Sequence, residues 1–211
     1  MKFRVDQYRV RGKKRTYDVL VFPAVKNAWA YDDFPEESGP RLDGDYEFYR
    51  LLEFALAALI SDPSKIIYFP IRQKSQHRSY GRCCDLVLLR PELQFRRSEW
   101  FRFKKKLDQQ HWIGKYTIRY DQQKLLDWFE KRLEGKWWLE REKHYVEEML
   151  GDTVFLVLPK ERCYRYHACI AGSRIMKGKG HDEKGWISDY VLIGWILSGE
   201  AISNMKQDKK A

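Results

Sequence analysis

Several things are scarce in this 211-residue chain, and each scarcity excludes something. Apolar stretches such as residues 54–60 fall far short of the roughly 18 residues that cross a bilayer, and the N-terminus lacks a signal-peptide h-region. The expectation is a cytoplasmic protein with no membrane partner. Cysteine is sparse: there are four, and Cys83 and Cys84 are adjacent, which does not suit a disulfide framework. Those two thiols would leave a strand on opposite faces, and Cys163 and Cys169 flanking His167 do not complete a four-ligand zinc or iron–sulfur site. The five histidines show neither H-x-H nor H-E-x-x-H spacing. Gly178-Lys179-Gly180-His181 lacks Walker A spacing, so no nucleoside-triphosphate site is expected, and Lys179 reads as a phosphate-contacting loop residue. Neither an internal repeat nor a clean linker divides the chain, which predicts one domain over residues 1–211. Acids are outnumbered, 30 against 40 lysines and arginines, leaving a net charge of +10 and pointing to a polyanionic partner.

What is present is ample core material: 44% of residues are hydrophobic and 15% aromatic, which excludes a largely disordered chain. Residues 3–22 read as a hairpin around the basic turn Arg11-Gly12-Lys13-Lys14-Arg15. A Pro-, Gly- and acid-rich connection over 23–44 follows, long enough to act as a flap. Asp45 caps a helix whose Tyr49, Leu52, Leu56 and Leu59 recur at helical spacing before Pro63. Residues 65–71 and 83–89 read as strands separated by a polar turn. Residues 98–107 alternate Trp100, Arg102, Lys104 and Lys106 with Phe101 and Phe103, which predicts a third strand. Residues 115–119 extend the sheet, and Asp121 caps a helix through Leu133. A helix over 138–149 is expected next, then a strand over 153–158 with 164–175 as its antiparallel partner, and a final apolar element over 186–197. The fold class is therefore α/β (α+β): a mixed central sheet flanked by helices, with a core over about 45–159. An N-terminal hairpin and loop (1–44) precede that core, and a β-rich extension (160–211) follows it.

From residue 45 onward the order is helix, strand, strand, strand, helix, strand. Asp85 stands at the head of the second strand, in Gly81-Arg82-Cys83-Cys84-Asp85-Leu86-Val87, and Lys104 stands in Trp100-Phe101-Arg102-Phe103-Lys104. This αβββαβ order, with that Asp and that Lys, resembles the core of the PD-(D/E)XK nuclease superfamily. The resemblance implies Mg²⁺-dependent phosphodiester cleavage of DNA or RNA, with Asp85 as metal ligand, Lys104 at the scissile phosphate and a Glu from the first helix as a further ligand. Converging carboxylates hold Mg²⁺ well, and a neighbouring lysine orients water and offsets phosphate charge. The chain departs from the pattern at Arg102, where the family has an acid; a guanidinium cannot ligate a metal. Either the carboxylate has migrated or catalysis has been lost. Glu53, beside the apolar stripe of the first helix, is the replacement candidate; Glu47 lies opposite, and Glu99 is offset to the other strand face. The blander alternatives are Asp85 bonded to an arginine such as Arg82, Lys104 as one cation of a solvated run, and Glu53 paired with Arg50.

Arg72, Lys74, His77, Arg78 and Arg82 crowd the turn before the Asp85 strand, while Arg97, Arg102 and Lys105 crowd the predicted third strand. As neighbours they would form one phosphate-neutralising patch. Trp112, Tyr116, Tyr120, Trp137 and Trp138 lie among cations and could stack unpaired bases, whereas Trp128 belongs to a core. A metal-independent ribonuclease using His77 or His167 stays open. The second reading is a non-catalytic DNA- or RNA-binding subunit of a larger nucleoprotein assembly, for example a CRISPR-type complex, with protein partners and a ferredoxin-like βαββαβ arrangement over 17–119. The two readings differ at Asp85: in a nuclease it faces a cleft together with Lys104 and another carboxylate, and in a binding module it is a lone or paired surface acid.

Overall fold

The computed structural model describes residues 1–25, 28–31, 41–44, 46–72, 83–107, 111–133 and 146–177. Strands β1 (Lys2–Arg11) and β2 (Thr16–Val21) form the expected hairpin, closed at Arg11 opposite Thr16, with the Gly12 N–H donating to the Arg15 carbonyl at 2.9 Å. The connection expected over 23–44 instead carries two strands, β3 (Ala28–Tyr31) and β4 (Arg41–Gly44), which pair antiparallel, while 26–27 and 32–40 lie outside the described residues. Helix α1 (Tyr46–Ser61) is buried on nearly every side, as its run of Phe, Leu and Ala requires. It stops at Asp62, whose carboxylate accepts the Ser64 N–H at 3.0 Å, with Pro63 between them.

β5 (Lys65–Phe69) runs parallel to β2, so β2, α1 and β5 form a crossover unit; β6 (Cys83–Leu89) then returns antiparallel to β5. Helix α2 (Trp100–Leu107), strand β7 (Trp112–Arg119) and helix α3 (Gln122–Leu133) follow. β8 (Val146–Leu150) and β9 (Thr153–Val157) make a hairpin around Gly151, whose φ of 64° suits glycine, and helix α4 (Lys160–Lys177) closes the described chain. The mixed sheet runs β8-β9-β6-β5-β2-β1-β7, with β3 joined to the start of β6. Its two faces carry different cores. Leu20, Ile67, Leu86 and Leu156 point to α1 and α4, while Val19, Ile66, Val87 and Phe155 point to Trp100 and Phe103 of α2. Burial on both faces explains the unbroken apolar runs over 66–69 in β5 and 86–89 in β6. α3 packs on α4 through Trp128 stacked on Tyr164 at 3.7 Å between centroids.

Several expectations are corrected. Residues 98–107 are not a third strand: a 3-10 turn (Arg97–Glu99) leads into α2, which buries Trp100, Phe103 and Leu107 at helical spacing and leaves Phe101 exposed. A strand would have put Phe101 and Phe103 on one face; the short apolar pattern fits both periods, and the separated sites for these two rings decide for the helix. Residues 164–175 are likewise helical, inside α4, because Cys163, His167, Ile170 and Ala171 share its buried face. The partner of β9 is instead β8, so residues 146–149 of the expected 138–149 helix are strand, and 138–145 lie outside the described residues. The ferredoxin-like arrangement over 17–119 fails because β2 and β5, which would be its strands before and after the first helix, are direct neighbours, whereas that arrangement splits them with another strand. The expected β-rich extension is helical over Lys160–Lys177; the element over 186–197 lies outside the described residues. Among the described residues no helix is long and apolar enough to cross a membrane.

Candidate functional site

Asp85 and Lys104 meet, though by a route other than adjacent strands. Asp85 enters β6 with Val87 and Leu89 on the α2 side of the sheet, and α2 lays Lys104 across that strand's start. The Asp85 side chain is fully buried, and both of its oxygens are engaged. Oδ1 accepts the Arg72 backbone N–H at 3.1 Å, while Oδ2 accepts the Tyr68 hydroxyl at 3.0 Å and the Lys104 ammonium. Lys104 reaches a second carboxylate, Asp152 Oδ2, at 3.2 Å, and Arg72 also pairs with Asp152. Burial works against the charged form of Asp152, but Lys104, Thr153 and Arg72 outweigh it and hold its carboxyl below the ordinary value. One helical turn before Lys104, Trp100 Nε1 donates to Thr153 Oγ1 at 3.0 Å, and Thr153 donates to Asp152 at 3.2 Å. Two residues of one α2 face are thereby fastened to the β8–β9 turn. Sequence reading missed Asp152: Gly151-Asp152 signals only a turn, and nothing local says which helix the acid will meet.

Glu53 goes elsewhere. It is buried on the α1 side of the sheet, where it accepts the Tyr120 hydroxyl at 2.7 Å and lies 3.5 Å from His167 Nε2, rather than pairing with Arg50. Asp85 and Glu53 thus lie on opposite faces of the sheet and do not fit a shared Mg²⁺ ion. Between Asp85 and Asp152 the Lys104 ammonium supplies the compensating charge that a bound cation would supply. Among the described residues no group of three or more His, Cys, Asp or Glu is disposed to hold a metal ion.

The basic residues divide. Arg72 is half exposed on Asp152, and Arg97 sits in the turn ahead of α2. Arg102 and Lys105 are exposed on α2. Lys74, His77, Arg78, Arg82 and Lys179, with Trp137 and Trp138, lie outside the described residues. The structure joins to this surface cations distant in the chain, those of the hairpin tip. Lys106 Nζ donates to the Arg11 carbonyl at 2.7 Å, and the Lys13 N–H donates to Glu99 at 3.1 Å. Glu99, at the end of the 3-10 turn, and Arg102 and Lys106 of α2 follow one another at three- and four-residue intervals, so the exposed Arg11, Lys13, Lys14 and Arg15 lie beside the cations of α2. The separation of more than eighty residues between these segments hides the join from any local reading.

No family model matches the chain, and neither curated proteins nor solved structures yield a match to it.

Proposed function

We propose that this is a nucleic-acid-binding protein whose main contact surface is the ridge made by α2 and the β1–β2 tip, and that it acts without cleaving its ligand. The docking of the hairpin tip on α2 carries this reading: it merges two basic segments into one exposed surface, with Glu99 used internally on the Lys13 N–H. Such a surface neutralises several phosphates at once and releases their counterions, giving affinity that falls steeply with salt. The Asp85–Lys104–Asp152 bridge then has a positioning task, holding the helix that displays Arg102 and Lys105. A second reading, metal-dependent cleavage by a degenerate PD-(D/E)XK-like core, draws on the meeting of Asp85 with Lys104. It has Glu53 on the wrong face of the sheet and a helix where the resemblance requires its third strand.

The test is binding and cleavage of labelled single- and double-stranded DNA and RNA in Mg²⁺, Mn²⁺ or EDTA. The expected result is salt-sensitive binding without cutting, weakened when Lys13 and Lys14, or Arg102 and Lys105, are changed to Glu. Metal-dependent cutting abolished by Asp85→Ala would replace this reading with the nuclease. Absence of salt-sensitive binding to every probe would remove both.

A further inference from the structure

The edge of the sheet carries a second charged surface. In β1, Phe3 and Val5 face the α1 side, whereas Tyr8 and Val10 belong to the core beneath α2. The even-numbered positions of β1 therefore point to the α2 side. The β1–β7 register sets Lys2 opposite Arg119, Arg4 opposite Thr117, Asp6 opposite Lys115 and, across a bulge, Tyr8 opposite Trp112. Directly opposed residues share a face with their side chains about 5 Å apart. Lys2, Arg4, Lys115 and Arg119 are all exposed there.

Trp112 is 53% exposed yet not loose, since its Nε1 donates to Asp6 Oδ1 at 2.8 Å. The same carboxylate holds Lys115 at 2.7 Å. Burial disfavours the charged form of Asp6, but the Lys115 and Trp112 bonds outweigh it and hold its carboxyl below the ordinary value. An indole fixed at its N–H, with over half its surface in water and cations alongside, is an expensive way to finish a sheet edge and a good platform for an unpaired base. β1 links this face to the ridge: its ten residues extend about 30 Å from Lys2 to Arg11, whose carbonyl Lys106 grips.

We infer that the α2-side face of the β1–β7 edge binds single-stranded nucleic acid, with Trp112 stacking on a base and Lys2, Arg4, Lys115 and Arg119 holding the backbone. Four cations against one carboxylate, itself occupied by Trp112 and Lys115, match a polyanion, and an open sheet edge bearing an aromatic suits splayed bases rather than a closed duplex. Asp6 is a positioning residue. This inference rests on the nucleic-acid reading above and adds strandedness and a separate face.

The experiment is fluorescence anisotropy on the full chain with a labelled oligouridylate, the matching oligothymidylate and a duplex of similar charge, between about 50 and 200 mM salt. Wild type is expected to prefer the single strands, and the two oligomers distinguish RNA from DNA as the source. Trp112→Ala should weaken single-strand binding roughly 5- to 100-fold, with the salt slope unchanged. Trp112→Phe should keep most of the affinity. Arg4→Ala with Arg119→Ala should lower the slope of log K against log salt by about 1.4. Equal losses in Trp112→Ala and Trp112→Phe would assign the effect to the Asp6 bond and overturn stacking, as would a Trp112→Ala protein with wild-type affinity or a preference for duplex. Those results leave the wider reading standing; failure of wild type to bind any probe removes that reading as well.

Discussion

Replacing Lys104 by Met should destabilise the protein far more than its place in a Lys-Lys-Lys run suggests. Asp85 has no exposed side-chain surface, and Lys104 exposes only 20% of its own. Removing one member of a buried pair strands the other charge, which costs about 3–5 kcal/mol when both are fully buried. Solvent reaches Lys104, and Asp85 keeps its bonds from Tyr68 and the Arg72 N–H, so the lower end applies, about 3 kcal/mol. Asp85→Asn leaves Lys104 with Asp152 and should cost about 2 kcal/mol. The double variant has no stranded charge, and its cost should fall short of the sum of the singles by about 2 kcal/mol. Urea denaturation of the four proteins measures this cycle. A Lys104→Met cost below about 0.5 kcal/mol, or additive single effects, would refute the idea that this bridge fastens α2 to the sheet.

Further expectations are independent of that bridge. Hydrogen bonding from Arg9, opposed by burial and aided by Lys65, holds Asp18 down from 3.8 to about 2. Its folded value lies below its unfolded one, so the stabilisation is complete above about pH 4 and is lost as pH falls through about 2. The shift amounts to about 1–2 kcal/mol once the exposed Arg9 is discounted, and Asp18→Asn should flatten that part of the pH–stability curve by the same amount. Gly151→Ala should cost about 1–2 kcal/mol in urea melts, because φ is +64° and the new Cβ would come within 2.6 Å of the Phe101 ring; stability equal to wild type would contradict this turn geometry. Cys163 is buried in apolar surroundings that push its thiol up to about 12, leaving about one thiolate in ten thousand at pH 8. A colorimetric disulfide reagent should label it only under unfolding conditions, and rapid labelling of the native protein at this residue would show that α4 is not packed as described.

Local pattern alone is enough to find much of this molecule, since hairpin turns, caps and apolar period are properties of neighbouring residues. The β1–β2 hairpin, α1 ending before Pro63, the apolar strands β5 and β6, and α3 behind Asp121 all follow from such signals, as does a mixed sheet flanked by helices. Asp85, Lys104, Arg102 and Lys105 were visible as chemically meaningful residues for the same reason: their types and their neighbours are local facts. Tertiary packing decided the rest. Residues 100–107 satisfy a two-residue and a 3.6-residue period almost equally, and only the pocket formed by Tyr17, Tyr68 and Phe155 selects the helix that buries Trp100 and Phe103. Glu53 is a boundary residue on a helical wheel, and only the docking of α4 and Tyr120 turns it inward, away from Asp85. Asp152 and the hairpin tip reach α2 from positions distant in the chain, and such a meeting depends on strand order, which no short window of sequence encodes.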